Sequence, residues 1–434
     1  MSKKISKKTG NATIQRMQDG RRISMLARAT FRHHPLTTLS AVPLPRFQSP
    51  TIPASKCLHI HALPMRPRVS RQRPVACNTL HAQRRMLSVD SVITVLTPPA
   101  LFLGLLIGLW TYKCVMTVIF QEKFIYMPYM PPFARSEKIE DYEASCKPVK
   151  WVEERIRSLD GTKIRLVIGK MMEDENSPRQ HAPLEQPTQN VKRKEVIVCY
   201  FQGNGSSTPP RLPLLSRVLK LLHAAKQPDV RYTLVALSYR GFWNSSGKPT
   251  EPGIQLDAQA LLNHLETVYG PKPGADVEVI LWGQSVGAGV AATTAATYLT
   301  QQRRTGGNPI LPVAGLIMET PFTSIKRMLF ALYPQKWLPY QYLHPFLRNH
   351  WDNEIALRRL AGVEAERRPP ILFLPATRDE VVPPSEVEKL KDACSTLGLQ
   401  HESKGIIGAL HTEATTRREG QEAVAKFIEK VAGS

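Results

Sequence analysis

Residues 277–299 of this chain read VEVILWGQSVGAGVAATTAATYL, and no other stretch narrows the fold as much. A continuous apolar run suits a strand covered on both faces, and a helix of small residues follows it after a single tight turn, Gly283-Gln284-Ser285-Val286-Gly287. Such a turn lifts the serine hydroxyl above the sheet, and its glycines let the backbone pass where a Cβ would clash. The helix start leaves N–H groups unpaired and adds the positive end of a dipole, where an oxyanion can develop. Ser285 is therefore the candidate nucleophile and the Val286 N–H a candidate oxyanion donor. An ordinary Gly-rich turn is the alternative.

The chain beyond about Phe124 alternates short β-branched runs with helical patterns. Strands are expected at 196–201, 232–238, 277–282, 313–319 and 370–376, with helices at 212–225, 254–269, 286–299, 324–333, 385–397 and 421–431. This is the pattern of a doubly wound, mostly parallel α/β sheet. Two earlier strands, 151–158 and 163–169, would add an antiparallel edge. The polar stretch 173–194 is expected to be a disordered surface loop.

A serine nucleophile needs a base and the base an orienting acid, and on a sheet of this kind they follow in the order Ser, acid, His. Asp379 lies just past the strand at 370–376, at a carboxyl end, where sites of open α/β sheets gather. It is the preferred acid, with Glu319 and Glu380 as rivals. His411 sits on a loop between the expected last strand and the closing helix and is the preferred base, whereas His401 comes before that strand. The second oxyanion donor is expected from the loop Gln202-Gly203-Asn204-Gly205-Ser206, with Asn204 preferred among Gln202 to Asn204. The stretch Gly241–Pro249 is not a phosphate loop, because one residue too many separates the glycines and Pro249 replaces the magnesium-binding Ser/Thr.

Six cysteines at 57, 77, 114, 146, 199 and 394 make no Cys-x-x-Cys pair. No metal and no cofactor are expected, Cys199 reads as a buried core thiol, and one disulfide is left open. The net charge of +22 is uneven. Residues 1–85 carry seventeen Lys/Arg and one acid, Asp19, so the tail is basic rather than the domain, and no nucleic-acid partner is expected. Residues 1–90 are read as a disordered extension; a mitochondrial leader and a true start at Met86 are the alternatives.

From Ser91 to Tyr112 no residue is charged. Twenty residues at about 1.5 Å each cover a hydrocarbon core of ~30 Å, so residues 91–120 are read as one membrane anchor with Lys113 near an edge. The Pro98–Pro99 pair argues for a kink or for a span that starts after it. Arg71, Arg73, Arg84 and Arg85 precede the span, against Lys113 and Lys123 after it, which puts the N-terminus in the cytosol and the domain 121–434 in a lumen or outside the cell. An endomembrane such as the endoplasmic reticulum is the expected place, with the mitochondrion as alternative. Aromatic residues between Phe322 and Trp351 mark 321–352 as a candidate lid, or else as helices packed on the core.

Nine blocks in order carry a resemblance. They are Phe124-Ile-Tyr-Met-Pro128, Phe201-Gln-Gly-Asn-Gly205, Ser238-Tyr-Arg-Gly241, Ser246-Gly-Lys-Pro249, Leu256-Asp-Ala-Gln259, Trp282-Gly-Gln-Ser-Val-Gly287, Glu319-Thr-Pro-Phe-Thr-Ser324, Arg378-Asp-Glu-Val-Val-Pro-Pro384 and His411-Thr412. Together they resemble the bud-emergence family of eukaryotic α/β hydrolases, relatives of the mammalian α/β-hydrolase-domain depalmitoylases and lipases. The resemblance, over about Phe120 to Phe427, implies the α/β-hydrolase fold, an N-terminal membrane helix and a triad at Ser285, Asp379 and His411. It also implies an ester- or thioester-cleaving serine hydrolase whose substrate is a lipid or an acylated protein. Gln202 stands where relatives usually have His, and His-Thr replaces their common His-Asn. A membrane scaffold with little turnover and a serine peptidase are the competing functions.

Overall fold

The computed structural model describes residues 89–172, 194–225, 227, 229–270, 276–305 and 311–433. The expectations for the basic extension and for the polar loop fall on residues 1–88 and 173–193, outside the described residues. The helices are α1 (Val89–Ile119), α2 (Gln121–Tyr126), α3 (Glu143–Cys146), α4 (Leu212–Ala224), α5 (Glu251–Tyr269), α6 (Val286–Thr305), α7 (Ile325–Leu332), α8 (Asn353–Ala361), α9 (Pro384–Thr396) and α10 (Arg418–Ala432). The strands are β1 (Val149–Arg157), β2 (Lys163–Met171), β3 (Lys194–Phe201), β4 (Val230–Ser238), β5 (Asp276–Gln284), β6 (Val313–Glu319), β7 (Ile371–Leu374) and β8 (His401–Ser403).

All eight strands form one sheet in the order β1-β2-β4-β3-β5-β6-β7-β8. The β1–β2 and β2–β4 pairs are antiparallel and the other five are parallel. The chain has the α/β-hydrolase fold, with the expected antiparallel edge. Side chains alternate across it, as the two-residue period of a strand requires. In β3, Ile197, Cys199 and Phe201 enter the core formed with α5, α6, α8 and α9, while Val196, Val198 and Tyr200 face α4 and α10. Burial pushes the Cys199 thiol well above its ordinary value. The four cysteines among the described residues are all unpaired.

Local signals explain the helix starts. Thr250, Ser324 and Asp352 each accept a hydrogen bond from the N–H three residues on, at 3.3, 3.2 and 2.9 Å. The Asp352 cap opens α8, a helix that periodicity alone did not reveal. Two expectations are corrected. His401 opens β8 rather than preceding it. Of the two readings of Pro98–Pro99, a helix that starts after the pair is not what forms, because α1 begins at Val89 and runs through both prolines. The prolines forfeit the bonds to the Thr94 and Val95 carbonyls, but the turns on either side keep theirs.

From Asp90 to Lys113 every side chain of α1 is exposed. An 18-residue window of the helix reaches a mean hydropathy of 2.2, and the helix is long and apolar enough to cross a membrane.

Arg240, just after β4, joins three elements. Its backbone N–H, Nε and Nη2 bond the Asp257 carboxylate of α5 at 2.7–3.1 Å, Nη1 reaches Asp160 at 2.7 Å and Nη2 reaches Ser158 at 3.0 Å. Asp257 is fully buried. Arg240→Ala strands that carboxylate and is expected to lower stability by about 3–5 kcal/mol, read from the denaturation midpoint in detergent. The guanidinium also holds the Asp160 carboxyl well below its ordinary 3.8. A depressed acid stabilises the fold above its ordinary range and loses that contribution as pH falls through the folded value. Asp160→Asn is therefore expected to flatten the loss of stability below pH 3.8.

Candidate active site

β5 ends at Gln284 and α6 begins at Val286, so Ser285 alone makes the turn, with φ at +53°. That left-handed conformation is costly for a residue with a side chain and persists only where the surroundings enforce it. Here they do. A Cβ on Gly283 would lie 2.0 Å from the Gly287 carbonyl oxygen, and one on Gly287 would lie 2.1 Å from that of Phe201. The Ser285 N–H donates to the Glu319 carbonyl at 2.8 Å, which ties the turn to the end of β6.

His411 reaches Ser285 from 126 positions away in sequence, its Nε2 2.9 Å from Oγ. Its Nδ1 lies 2.8 Å from Asp379 Oδ2 and 3.0 Å from Oδ1. Asp379 Oδ1 in turn accepts from the Val381 and Val382 N–H groups at 2.9 and 2.7 Å, an Asx turn that fixes the carboxylate on its loop. Ser285 is 7% and His411 5% exposed, so the three groups meet where water is scarce.

The rival carboxylates do other work. Glu380 accepts the backbone N–H of His411 at 2.9 Å and leaves the ring to Asp379. Glu319 is fully buried beneath the turn, where it accepts from Trp282 Nε1 at 3.1 Å, Gln284 Nε2 at 3.3 Å, Thr415 N at 3.2 Å and Thr415 Oγ1 at 2.7 Å. Burial lifts its carboxyl above the ordinary 4.5, against the pull of those donors. Glu319 thus fastens the loop bearing His411 to the strand bearing Ser285. Arg378 N to Ala409 O at 3.0 Å and Gly408 N to Thr377 Oγ1 at 2.7 Å fasten the same loop to that of Asp379.

On the other side of Ser285 runs the loop after β3. A Cβ built on Gly203 would stand 3.5 Å from the Ser285 Cβ, so it is the backbone of Gly203, one residue before Asn204, that lies against the serine. Three groups set this loop: Tyr239 donates its hydroxyl to the Gln202 carbonyl at 2.8 Å, Gly205 N–H donates to the Tyr126 carbonyl at 2.8 Å, and Ser206 N–H donates to the Met130 carbonyl. Gln202 is buried and its Nε2 has no partner. Val286, at the first position of α6, has no acceptor within its own helix for its N–H.

Sequence reasoning missed Thr415, Tyr239 and Tyr126 as parts of this assembly. Tyr239 and Tyr126 fall in the quoted blocks Ser238–Gly241 and Phe124–Pro128, so their positions were visible although their contacts were not. Thr415 carried no signal.

No family model matches the chain. It is 27% identical to alpha/beta hydrolase domain-containing protein WAV2 of Arabidopsis thaliana over 293 residues, 65% of this chain and 78% of that protein. It is also 29% identical to protein bem46 of Schizosaccharomyces pombe over 45% of this chain and 56% of that one. Its homologues are α/β-hydrolase domain proteins of the bud-emergence type. A further relative is lysophosphatidylserine lipase ABHD12 of Danio rerio, 35% identical over 45% of this chain and 46% of the fish protein. The chain thus matches about half the length of these last two relatives. Among solved structures, an alpha-beta hydrolase from Vibrio vulnificus aligns with a TM-score of 0.48 at 17% identity, over 72% of this chain and 92% of that one.

The wedge role of Glu319 can be measured. Glu319→Ala orphans the donors of Trp282, Gln284 and Thr415 in a dry site, at about 1–3 kcal/mol for each buried group left unpaired. A loss of at least ~3 kcal/mol in the denaturation midpoint is expected. An unchanged midpoint would remove Glu319 from the account.

Proposed function

We propose that the chain is a membrane-anchored serine hydrolase that cleaves a carboxylic ester or thioester of a lipid or an acylated protein. One observation carries the reading: His411 spans Asp379 and Ser285 with both ring nitrogens within 2.9 Å of their partners. In the first step His411 takes the Ser285 proton as Oγ attacks the acyl carbonyl, and the acyl-oxygen or acyl-sulfur bond breaks as that proton passes to the leaving alcohol or thiol. Water then gives a proton to His411 and attacks the acyl-enzyme, the acid leaves, and the proton returns to Oγ. Asp379 holds the Nδ1–H tautomer and balances the imidazolium. The Val286 N–H and a second N–H from the stretch Gln202 to Asn204 would receive the oxyanion; Asn204 and its glycine neighbour are the donors to compare. No cofactor enters the scheme.

The relatives favour an ester over a peptide, since one of them is named for lysophosphatidylserine lipase activity. In this reading α1 crosses an endomembrane once, with the basic extension in the cytosol and the catalytic residues on the far side. An introduced N-glycosylation acceptor near Leu159, exposed between β1 and β2, would acquire glycan only in that orientation.

A fluorophosphonate probe on membrane fractions tests the chemistry. Wild type is expected to label and Ser285→Ala not at all, while Asp379→Asn slows labelling and turnover by on the order of 10³–10⁴. Absence of labelling in folded wild type would sink the hydrolase reading and favour a membrane scaffold.

A further inference from the structure

Outside α1, the exposed aromatic side chains among the described residues all fall in two stretches. Phe124, Tyr129 and Phe133 come soon after α1, Phe330 lies on α7, Tyr342 and Phe346 lie on the 3₁₀ helix Pro339–Phe346, and Tyr333 and Trp337 lie between those two helices. Trp337 is 76% and Phe133 84% exposed. Single apolar residues scatter over any protein surface, but eight aromatics confined to two neighbouring stretches ask for a partner.

Both stretches are fastened to the end of α1. Gln121 Nε2 donates to the Phe346 carbonyl at 3.1 Å, and Arg348 N–H donates to Gln121 Oε1 at 2.7 Å. Arg348 also bonds the Ile119 carbonyl at 3.2 Å and pairs with Glu122 at 2.6 Å. The Tyr126 hydroxyl joins Asn349 Oδ1 at 2.8 Å and Trp351 Nε1 at 2.9 Å. Height relative to a membrane then follows. The uncharged run Ser91–Tyr112 covers roughly 33 Å as helix, about one hydrocarbon core, so Lys113 marks its edge. Lys113 Nζ stands 5.3 Å from the centre of the Tyr340 ring, which puts the 3₁₀ helix at headgroup level, the layer where Trp and Tyr are enriched. Exposed Lys326, Arg327 and Lys336 on the same segment can lay their apolar stems along the interface and keep their charged ends at headgroup level. The segment also leaves the carboxyl end of a strand next to the one that carries Ser285. Segment 325–346 follows β6, whose last residue holds the Ser285 N–H, and Tyr126 and Met130 accept the bonds that set the loop beside the serine.

We propose that this aromatic face is seated in the interfacial layer of the bilayer that α1 crosses, so that an acyl group held in the membrane reaches Ser285 without passing through bulk water. The proposal rests on the reading of α1 as a span, and its test does not depend on turnover. The full chain carrying Trp110→Phe is reconstituted in phosphatidylcholine vesicles with and without bromine on the acyl chains near the headgroups. Of the five tryptophans left, Trp151, Trp243, Trp282 and Trp351 are buried, so lipid quenching reports on Trp337. Brominated lipid is expected to remove roughly a fifth of the emission, one Trp in five, and the additional change Trp337→Phe to abolish that difference. Equal emission in both vesicles, from a chain that alkaline carbonate fails to extract, would overturn the seating and leave the span standing. Trp337 shielded from aqueous iodide in those same vesicles would instead give the face to a second copy or another protein. Extraction by carbonate would overturn span and seating together.

Discussion

Three backbones meet at the Ser285 turn with no room for a side chain between them. A Cβ at Gly283 would come within 2.0 Å of the Gly287 carbonyl oxygen and one at Gly287 within 2.1 Å of the Phe201 carbonyl oxygen, far inside van der Waals contact, so β5, the first turn of α6 and the end of β3 are locked together. That contact forces Ser285 to φ +53° and aims its hydroxyl out of the carboxyl edge of the sheet. It also brings the loop after β3 alongside the serine, because the first turn of α6 rests on the Phe201 carbonyl. Ser285 and the loop after β3 are thus placed by one steric constraint rather than by two separate ones.

His411 and Asp379 have no such local constraint, since both lie on loops beyond short strands. Their positions come from a chain of bonds that starts at the buried Glu319. This carboxylate sits under the turn and takes donors from β5 and from Thr415, four residues past His411. A buried acid held by three residues on two segments is costly to form half-way, because each missing partner leaves an unpaired group in a dry interior. The arrangement therefore assembles as a unit, and Glu380 completes it by capping the His411 backbone.

The end of α1 is part of the same assembly. Through Tyr126 and Met130 the segment after the helix sets the loop beside Ser285, and through Gln121, Glu122 and Tyr126 it holds the segment around Asn349. The helix α1 is thus joined to the site by direct side-chain and backbone contacts rather than by a free linker. That connection gives the exposed aromatic face a fixed position relative to the end of α1.

Much of this could be read in the sequence. Unbroken apolar runs marked the parallel strands, the glycines around Ser285 marked the turn, and chain order picked Asp379 and His411, because each of these signals is local in the chain. Other features were not legible. Glu319 read as a rival acid, and only the sheet shows that its carboxylate lies beneath the turn and out of reach of the imidazole. Pro98–Pro99 read as a kink or as a point after which the helix begins, whereas α1 already starts at Val89 and runs through both. The sequence by itself determined the elements, their order and the residue types able to do acyl chemistry, since those depend on periodicity and steric rules within a few residues. Which carboxylate meets His411, which backbone lies against Ser285 and what fastens α1 to the site were decided only by tertiary structure, because each depends on contacts between separate segments, from 32 residues apart for Asp379 and His411 to 229 for Ile119 and Arg348.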